Sequence, residues 1–188
     1  MRTHLRSVGV TAAILVVAAA VAAVVGFGTS GPAAVCVGDR SVSTSALDAQ
    51  IGQWADLEAA GVRTTAGAVR ADAAATIATF AVYELLVERY LDRIGESVTA
   101  EDRAVGRAAA AEVPGFAAQP ESFRTRYVAQ QTAFAALGRI EGTEDDAPIR
   151  ALRREARRAG VTVDPVYGRW SPARVAVVPL GPSPVATR

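Results

Sequence analysis

The hydrophobic pattern opens with a run that carries no charge, Val8 to Phe27, after a short flank containing Arg2, His4 and Arg6; the next charged residue is Asp39. About 20 apolar residues at about 1.5 Å each cross a hydrocarbon core of about 30 Å, whereas the apolar part of a cleavable signal has only about 7 to 15. The pattern predicts a transmembrane anchor over 8–27, with a cytoplasmic basic flank over 1–7 and a linker over 28–33. Arginines on the N-terminal side place that end in the cytoplasm and the rest of the chain outside the cell membrane. Cleavage among the small residues of "GTSGPAA", releasing a secreted protein, is the alternative reading of the same run.

Past the linker the period changes. "AVCV" and "RSVS" are β-prone runs on either side of Gly38 and Asp39, a pair that supplies the positive φ of a tight turn. A hairpin results, with Val35 and Val37 on one face and Cys36 on the other. Helical spacing takes over in "STSALDAQIGQWADLEAAG": Ser43, Thr44 and Ser45 are candidate N-caps, Leu47, Ile51, Trp54 and Leu57 follow at helical intervals, and Gly61 marks the end. A second helix, capped by Thr64 or Thr65, is expected to reach Ile94 with Ile77, Phe80, Tyr83, Val87, Tyr90 and Ile94 as its stripe. Val82, Leu85, Leu86 and Leu91 widen that stripe, as in a central helix covered on more than one side. Thr99 with Asp102 resembles a capping box and opens a third, Ala-rich helix that ends before Pro114. Pro120 in a first turn, then Phe123, Tyr127, Phe134 and Leu137, predicts a fourth. After the polar break "EGTEDDAP", Ile149, Leu152, Ala156 and Ala159 set out a fifth, closed by Gly160.

Period two returns in "VTVDPVYGRW", and "RVAVVP" suggests one more strand; 180–188 reads as a disordered tail. A strand after five helices needs a partner, and the other β-prone segment is the one around Cys36. The expected fold is mainly α: about five helices, with a small antiparallel sheet joining the N- and C-terminal segments of a domain over 34–179. A domain of about 140 residues buries roughly two-thirds of its unfolded surface, enough to stand without disulfide or metal.

Composition narrows the chemistry. The single histidine is His4, the single cysteine is Cys36, and all 20 basic residues are arginine, so imidazole bases, imidazole metal ligands and lysine nucleophiles are nearly absent. No catalytic residue, metal site or cofactor is expected: "ESF" and "GTSG" are not nucleophile-elbow patterns, and Glu101/Asp102 and Asp145/Asp146 sit where helix starts favour negative charge. A net charge of +1 gives no field that recommends nucleic acid. The densest charge is "RALRREARR", with Arg150, Arg153, Arg154, Arg157 and Arg158. It reads either as a patch for phosphate or lipid headgroups or as a helix stabilised by acids at its start and arginines at its end, and the second reading is preferred. Cys36 was weighed as a lipid-attachment site and disfavoured: Val35 precedes it where a lipobox carries a small residue, and Gly28–Pro32 separate it from the apolar run. A buried strand residue, largely inaccessible to thiol reagents, is the expectation.

The opening "AVCVGDRSVSTSALDAQI", the helices after it and the closing "VTVDPVYGRW" resemble the SurA-type N-terminal chaperone domain, in an actinobacterial form. The closing segment is similar to a V-x-P-R-Y-G-x-W pattern, with Val166 where Arg is usual. The resemblance implies a chaperone-like domain whose terminal segments come together and whose helices hold extended apolar polypeptide. A parvulin-type isomerase module often accompanies such domains; this chain has no room for one. Trp54, Phe80, Tyr83, Phe123, Tyr127 and Phe134 are the candidate client contacts, with Phe116 exposed in the loop "PGFAAQP". The partners so implied are unfolded or extended clients, and the membrane through the N-terminal helix. A structural module that docks one folded envelope partner is the competing function. If the anchor rather than a lipid holds the chain, Cys36→Ser leaves membrane retention unchanged and intact mass shows no acyl chain; release of the variant into the medium would overturn this.

Overall fold

The computed structural model describes residues 31–56, 61–142 and 146–181. The expected anchor and its flank, Leu57 of the first helical stripe, Glu144, Asp145 and most of the expected tail lie outside the described residues. Strands β1 (Ala33–Val37) and β2 (Arg40–Ser43) form the expected hairpin, with Val35 opposite Val42 and Val37 opposite Arg40. Gly38 turns the chain at φ 62°, and a Cβ there would meet the Arg89 guanidinium at 2.9 Å. The other edge of β1 pairs antiparallel with β3 (Val161–Val163), Val35 opposite Val163 and Val37 opposite Val161. Backbone bonds extend that pairing at both ends: Gly38 N–H donates to the Gly160 carbonyl at 3.2 Å and Asp164 N–H to that of Ala34 at 2.8 Å. The sheet order β2-β1-β3 therefore joins the two ends of the domain.

Five helices lie between the strands. In α1 (Thr44–Ala55) the Ser43 hydroxyl accepts from Ala46 N–H, and Ala46, Leu47, Ile51 and Ala55 are buried. The helix ends at Ala55 rather than reaching Gly61. Helix α2 (Ala71–Ile94) starts later than its threonines suggested. Thr64 instead closes a turn: its hydroxyl accepts from Ala68 N–H, its carbonyl accepts from Gly67 N–H, and an isolated bridge pairs Arg63 with Val69. The remaining helices are α3 (Ala100–Ala111), α4 (Glu121–Glu141) and α5 (Ala147–Ala159), with a 3-10 turn at Phe116–Ala118. Pro120 lies just before α4 rather than inside its first turn.

Helix α2 is the central element, as its wide stripe predicts. It packs against α1, α4, α5, both strands of the hairpin and β5 (Ala176–Val178). Ala78, Val82, Leu86 and Val87 of α2, with Leu47, Leu137 and Leu152, have at most a trace of solvent exposure. Truncating any of the leucines to Ala costs about 2–5 kcal/mol. Ion pairs fasten the hairpin to α2: Arg40 reaches Glu88 at 2.9 Å and also Asp92, and Arg89 reaches Asp39. The last segment differs from expectation, because β4 (Arg169–Ser171) and β5 form their own two-stranded sheet.

Cys36 is a correction. It points away from Val35 and Val37 as the alternation requires, yet it is only half-buried. Its cross-strand neighbours Ser41 and Thr162 are exposed, so this face of the sheet is open where the valine face is covered by helices.

Helices α3 and α4 pack closely as a hairpin. Asp102, Gly106 and Ala110, four residues apart, are the buried positions of α3. The box at its start forms: Asp102 N–H donates to the Thr99 hydroxyl and Thr99 N–H to the Asp102 carboxylate. Arg139 of α4 also reaches that carboxylate, at 3.1 Å. Burial works to raise the pKa of Asp102, but the Arg139 and Thr99 bonds outweigh it and hold the carboxyl below its ordinary range. At Gly106 a Cβ would stand 2.3 Å from Thr132 Oγ1 and 2.6 Å from its backbone nitrogen. Gly106→Ala is expected to cost about 1–3 kcal/mol by overpacking. Gly52→Ala in α1, where the new Cβ meets nothing within 4 Å, should gain up to about 1 kcal/mol from helix propensity. Urea unfolding of both variants checks the pair, and equal midpoints would refute the close contact.

Candidate functional site

Seven aromatic side chains were singled out, and the fold sorts them into two groups. Trp54, near the end of α1, meets Phe123 edge-on at 5.3 Å and Tyr127 at 5.7 Å, while Phe123 and Tyr127 stack at 5.9 Å along the first turns of α4. Phe116 joins them at 5.8 Å from Tyr127. Phe80 of α2, with Val113 and Val128, packs around the same cluster, whose buried residues are distinct from the main core although Trp54 packs against both. The second group is the pair Tyr83–Phe134, at 6.1 Å and nearly perpendicular, against the main core. Offset and edge-to-face contacts of this kind contribute about 0.5–1.5 kcal/mol each beyond their buried area.

Local sequence explains the assembly. Phe123 and Tyr127 are one helical turn apart, and Phe134 and Leu137 continue that face toward the main core. The loop before α4 is not the exposed arm expected from "PGFAAQP". Gly115 adopts φ 76° and Phe116 N–H bonds the Val113 carbonyl, folding Phe116 back until it is half-buried. Phe123 and Tyr127 are buried, whereas Trp54, Phe80, Tyr83, Phe116 and Phe134 keep part of their surface in water.

Polar groups border the rings, and the aromatic pattern alone does not point to them. Glu84 of α2 is buried, and its charge acts on the half-buried Arg126 of α4. Burial lowers the Arg126 pKa and the carboxylate opposes that shift. Gln130 is buried as well, and its Nε2 has no hydrogen-bond partner among the described residues. The signal was available: Glu84 lies one turn beyond Phe80, and Gln130 falls between Tyr127 and Phe134, each a polar residue on an apolar stripe. Tyr83 donates to the Val175 carbonyl at 2.5 Å, which fixes the second aromatic pair to the β4–β5 turn. Val175 holds φ 53° there, a conformation that β-branched residues avoid, and it is fully buried.

The arrangement offers dispersion and ring-edge contacts from half-covered aromatics, over a fully buried Gln130 amide. Among the described residues no three His, Cys, Asp or Glu side chains group as metal ligands, and no helix is long and apolar enough to cross a membrane. Fold and cluster together define a mainly helical domain closed by small antiparallel sheets. No family model, curated protein or solved structure matches the chain.

All four tyrosines are held protonated. Burial pushes Tyr83 and Tyr127 up to about 12, burial and the Glu141 carboxylate do the same for Tyr90, and burial with Asp48 raises Tyr167 further. A raised folded-state pKa means that the stability these groups contribute is complete below their unfolded pKa of about 10. It is lost as pH rises from there through the folded values. An ultraviolet titration of the folded protein should therefore show almost no tyrosinate at about pH 10.5, where the urea-unfolded chain is more than half ionised. Ionisation of two or more tyrosines at that pH in the folded protein would contradict the packing.

Proposed function

We propose that the chain is a membrane-tethered, extracytoplasmic chaperone-like domain that binds apolar segments of unfolded exported polypeptides, without isomerase chemistry. The observation that carries this reading is the half-covered aromatic cluster around Trp54, Phe116, Phe123 and Tyr127, whose buried centre is distinct from the main core and which Trp54 joins to it. The β1–β3 pairing supports it, because the resemblance to SurA-type N-terminal domains implies that the terminal segments come together around the helices. The apolar run over 8–27 supports the tether. In this reading a client side chain packs on the exposed edges of Trp54, Phe80 and Phe116.

The small apolar surface left open favours a second reading, a module that docks one folded envelope partner. Among the described residues the exposed large hydrophobics are Val105, Val166 and Leu180.

Light scattering of an aggregating, chemically unfolded client separates the two. The chain from Gly31 onward keeps the central strand β1 and is the form to use. Several-fold excess should delay aggregation, and Phe116→Ala should weaken the effect by several-fold while leaving the unfolding free energy within about 1 kcal/mol of the parent's, since Phe116 is only half-buried. Absence of any delay at that excess would count against the chaperone reading and leave the docking module.

A further inference from the structure

We propose that the outer face of α5 is a docking surface for an anionic phospholipid bilayer, namely the membrane that holds the chain; the inference rests on reading 8–27 as an anchor. At 100° per residue, Arg150, Arg153, Arg154, Arg157 and Arg158 fall within an arc of about 140°. Ala151, Leu152, Glu155 and Ala156 turn into the core on the opposite side. The exposed face of this helix is thus almost wholly guanidinium.

Support for the helix itself accounts for only part of that density. The dipole favours Arg157 and Arg158 in the last turn but opposes Arg150 in the first. Arg154 pairs with Glu141 at 2.8 Å, and Arg158 shares Glu155 with Arg93. Even so paired, the Arg154 and Arg158 side chains remain 49% and 53% exposed. Arg153 donates to the Ala173 carbonyl, which brings the exposed Arg174 beside the same face. The guanidinium groups of Arg150 and Arg157 make no hydrogen bond or ion pair among the described residues, although Glu141 lies within electrostatic reach of Arg150. The carboxylates identified near this face are Glu141 and, at the helix start, Asp146; Glu155, on the core side, is reached from the edge by Arg158. In a chain of net charge +1, five of the 20 basic residues thus fall on one side of a single helix.

The choice of arginine over lysine carries no information, because the chain uses no lysine. Charge and the proposed tether argue for the partner. The linker 28–33 spans at most about 20 Å, comparable with the length of α5, so an anchored domain stays within its own diameter of the headgroups. That proximity gives even a weak electrostatic contact a high effective concentration. Helix α5 carries no aromatic side chain on which a nucleic-acid base could stack.

The test is arginine footprinting of the full chain in lipid nanodiscs with a water-soluble dicarbonyl, read residue by residue by mass spectrometry. One set of discs is phosphatidylcholine alone, and the other contains about one-third phosphatidylglycerol. Basic side chains at an anionic surface gain enough for about a fivefold effect each. Arg150 and Arg157 should thus react at least about fivefold more slowly in anionic discs, whereas Arg103 and Arg107 on the exposed side of α3 keep their rates. About 1 M salt, with a Debye length near 3 Å, should remove the difference. Equal rates on α5 and α3 in both discs overturn the surface and leave the anchor standing. A chain that enters neither disc overturns the anchor, and with it the bilayer as partner. Equal protection in neutral discs by added polyphosphate overturns the bilayer in favour of a soluble polyanion.

Discussion

Strand β1 meets β3 across about 120 residues of intervening chain, and closing so long a loop costs entropy before any contact within it is rewarded. The pairing holds because its valines serve two purposes. Val35 and Val37 are fully buried against the helices while their backbones bond both β2 and β3. A slip of one residue would put Cys36 into the core and the valines into water. Once that register is set, α1 must leave from β2 and α5 must return into β3, so the helices in between fold as an excursion with both ends fixed. Helix α2 fills the middle of that excursion, which is why its apolar face is wider than any partner alone would need.

The second sheet depends on the first less directly. Strands β4 and β5 are clamped to α2 by two side chains: Thr79 accepts from Val177 N–H at 2.8 Å, and Tyr83 donates to the Val175 carbonyl. Val175 is held in a left-handed conformation by burial and by that bond, so the turn carries local strain that the aromatic pair Tyr83–Phe134 helps to retain. Tyr167 closes the same region by donating to Asp48 of α1 at 2.7 Å, which links the "VTVDPVYGRW" segment to the first helix. The closing segment is thus a set of polar fasteners between sheet and helices as much as a strand.

How far the sequence could be read follows from which forces are local. The hairpin at Gly38, the Thr99–Asp102 box, the stop at Gly160 and the β1–β3 partnership were legible, because turn chemistry, capping and strand counting act within a few residues or admit few alternatives. The start of α2 was not. Thr64 can cap a helix or close a turn with equal local logic, and Gly67 at φ 82° sides with the turn. The closeness of α3 to α4 at Gly106 depends on Thr132, too far along the chain for any periodicity to show. Cys36 was placed on the correct face with the wrong burial, since alternation tells which side a residue points to and not whether anything covers that side. For the candidate site, composition identified the seven rings and helical spacing placed six of them, all but Phe116. Their division into a cluster and a pair, and the polar Glu84, Arg126 and Gln130 beside them, required the packing of α2 on α4.

The aromatic cluster sets stability against binding. Fully buried, Trp54, Phe116, Phe123 and Tyr127 would simply enlarge the core; fully exposed, they would invite self-association. Here Phe123 and Tyr127 are covered by their neighbours, and Trp54 and Phe116 do the covering while half exposed themselves. Phe116 sits on a single 3-10 turn rather than in a helix, so moving it disturbs few backbone bonds. Displacing that one ring would uncover Tyr127 and offer a ligand a second, previously dry surface, while the main core and the sheet that joins the termini stay closed. In the proposed chaperone reading, an apolar segment taken up at the tip of the α3–α4 hairpin would leave untouched the β1–β3 pairing on which the fold depends.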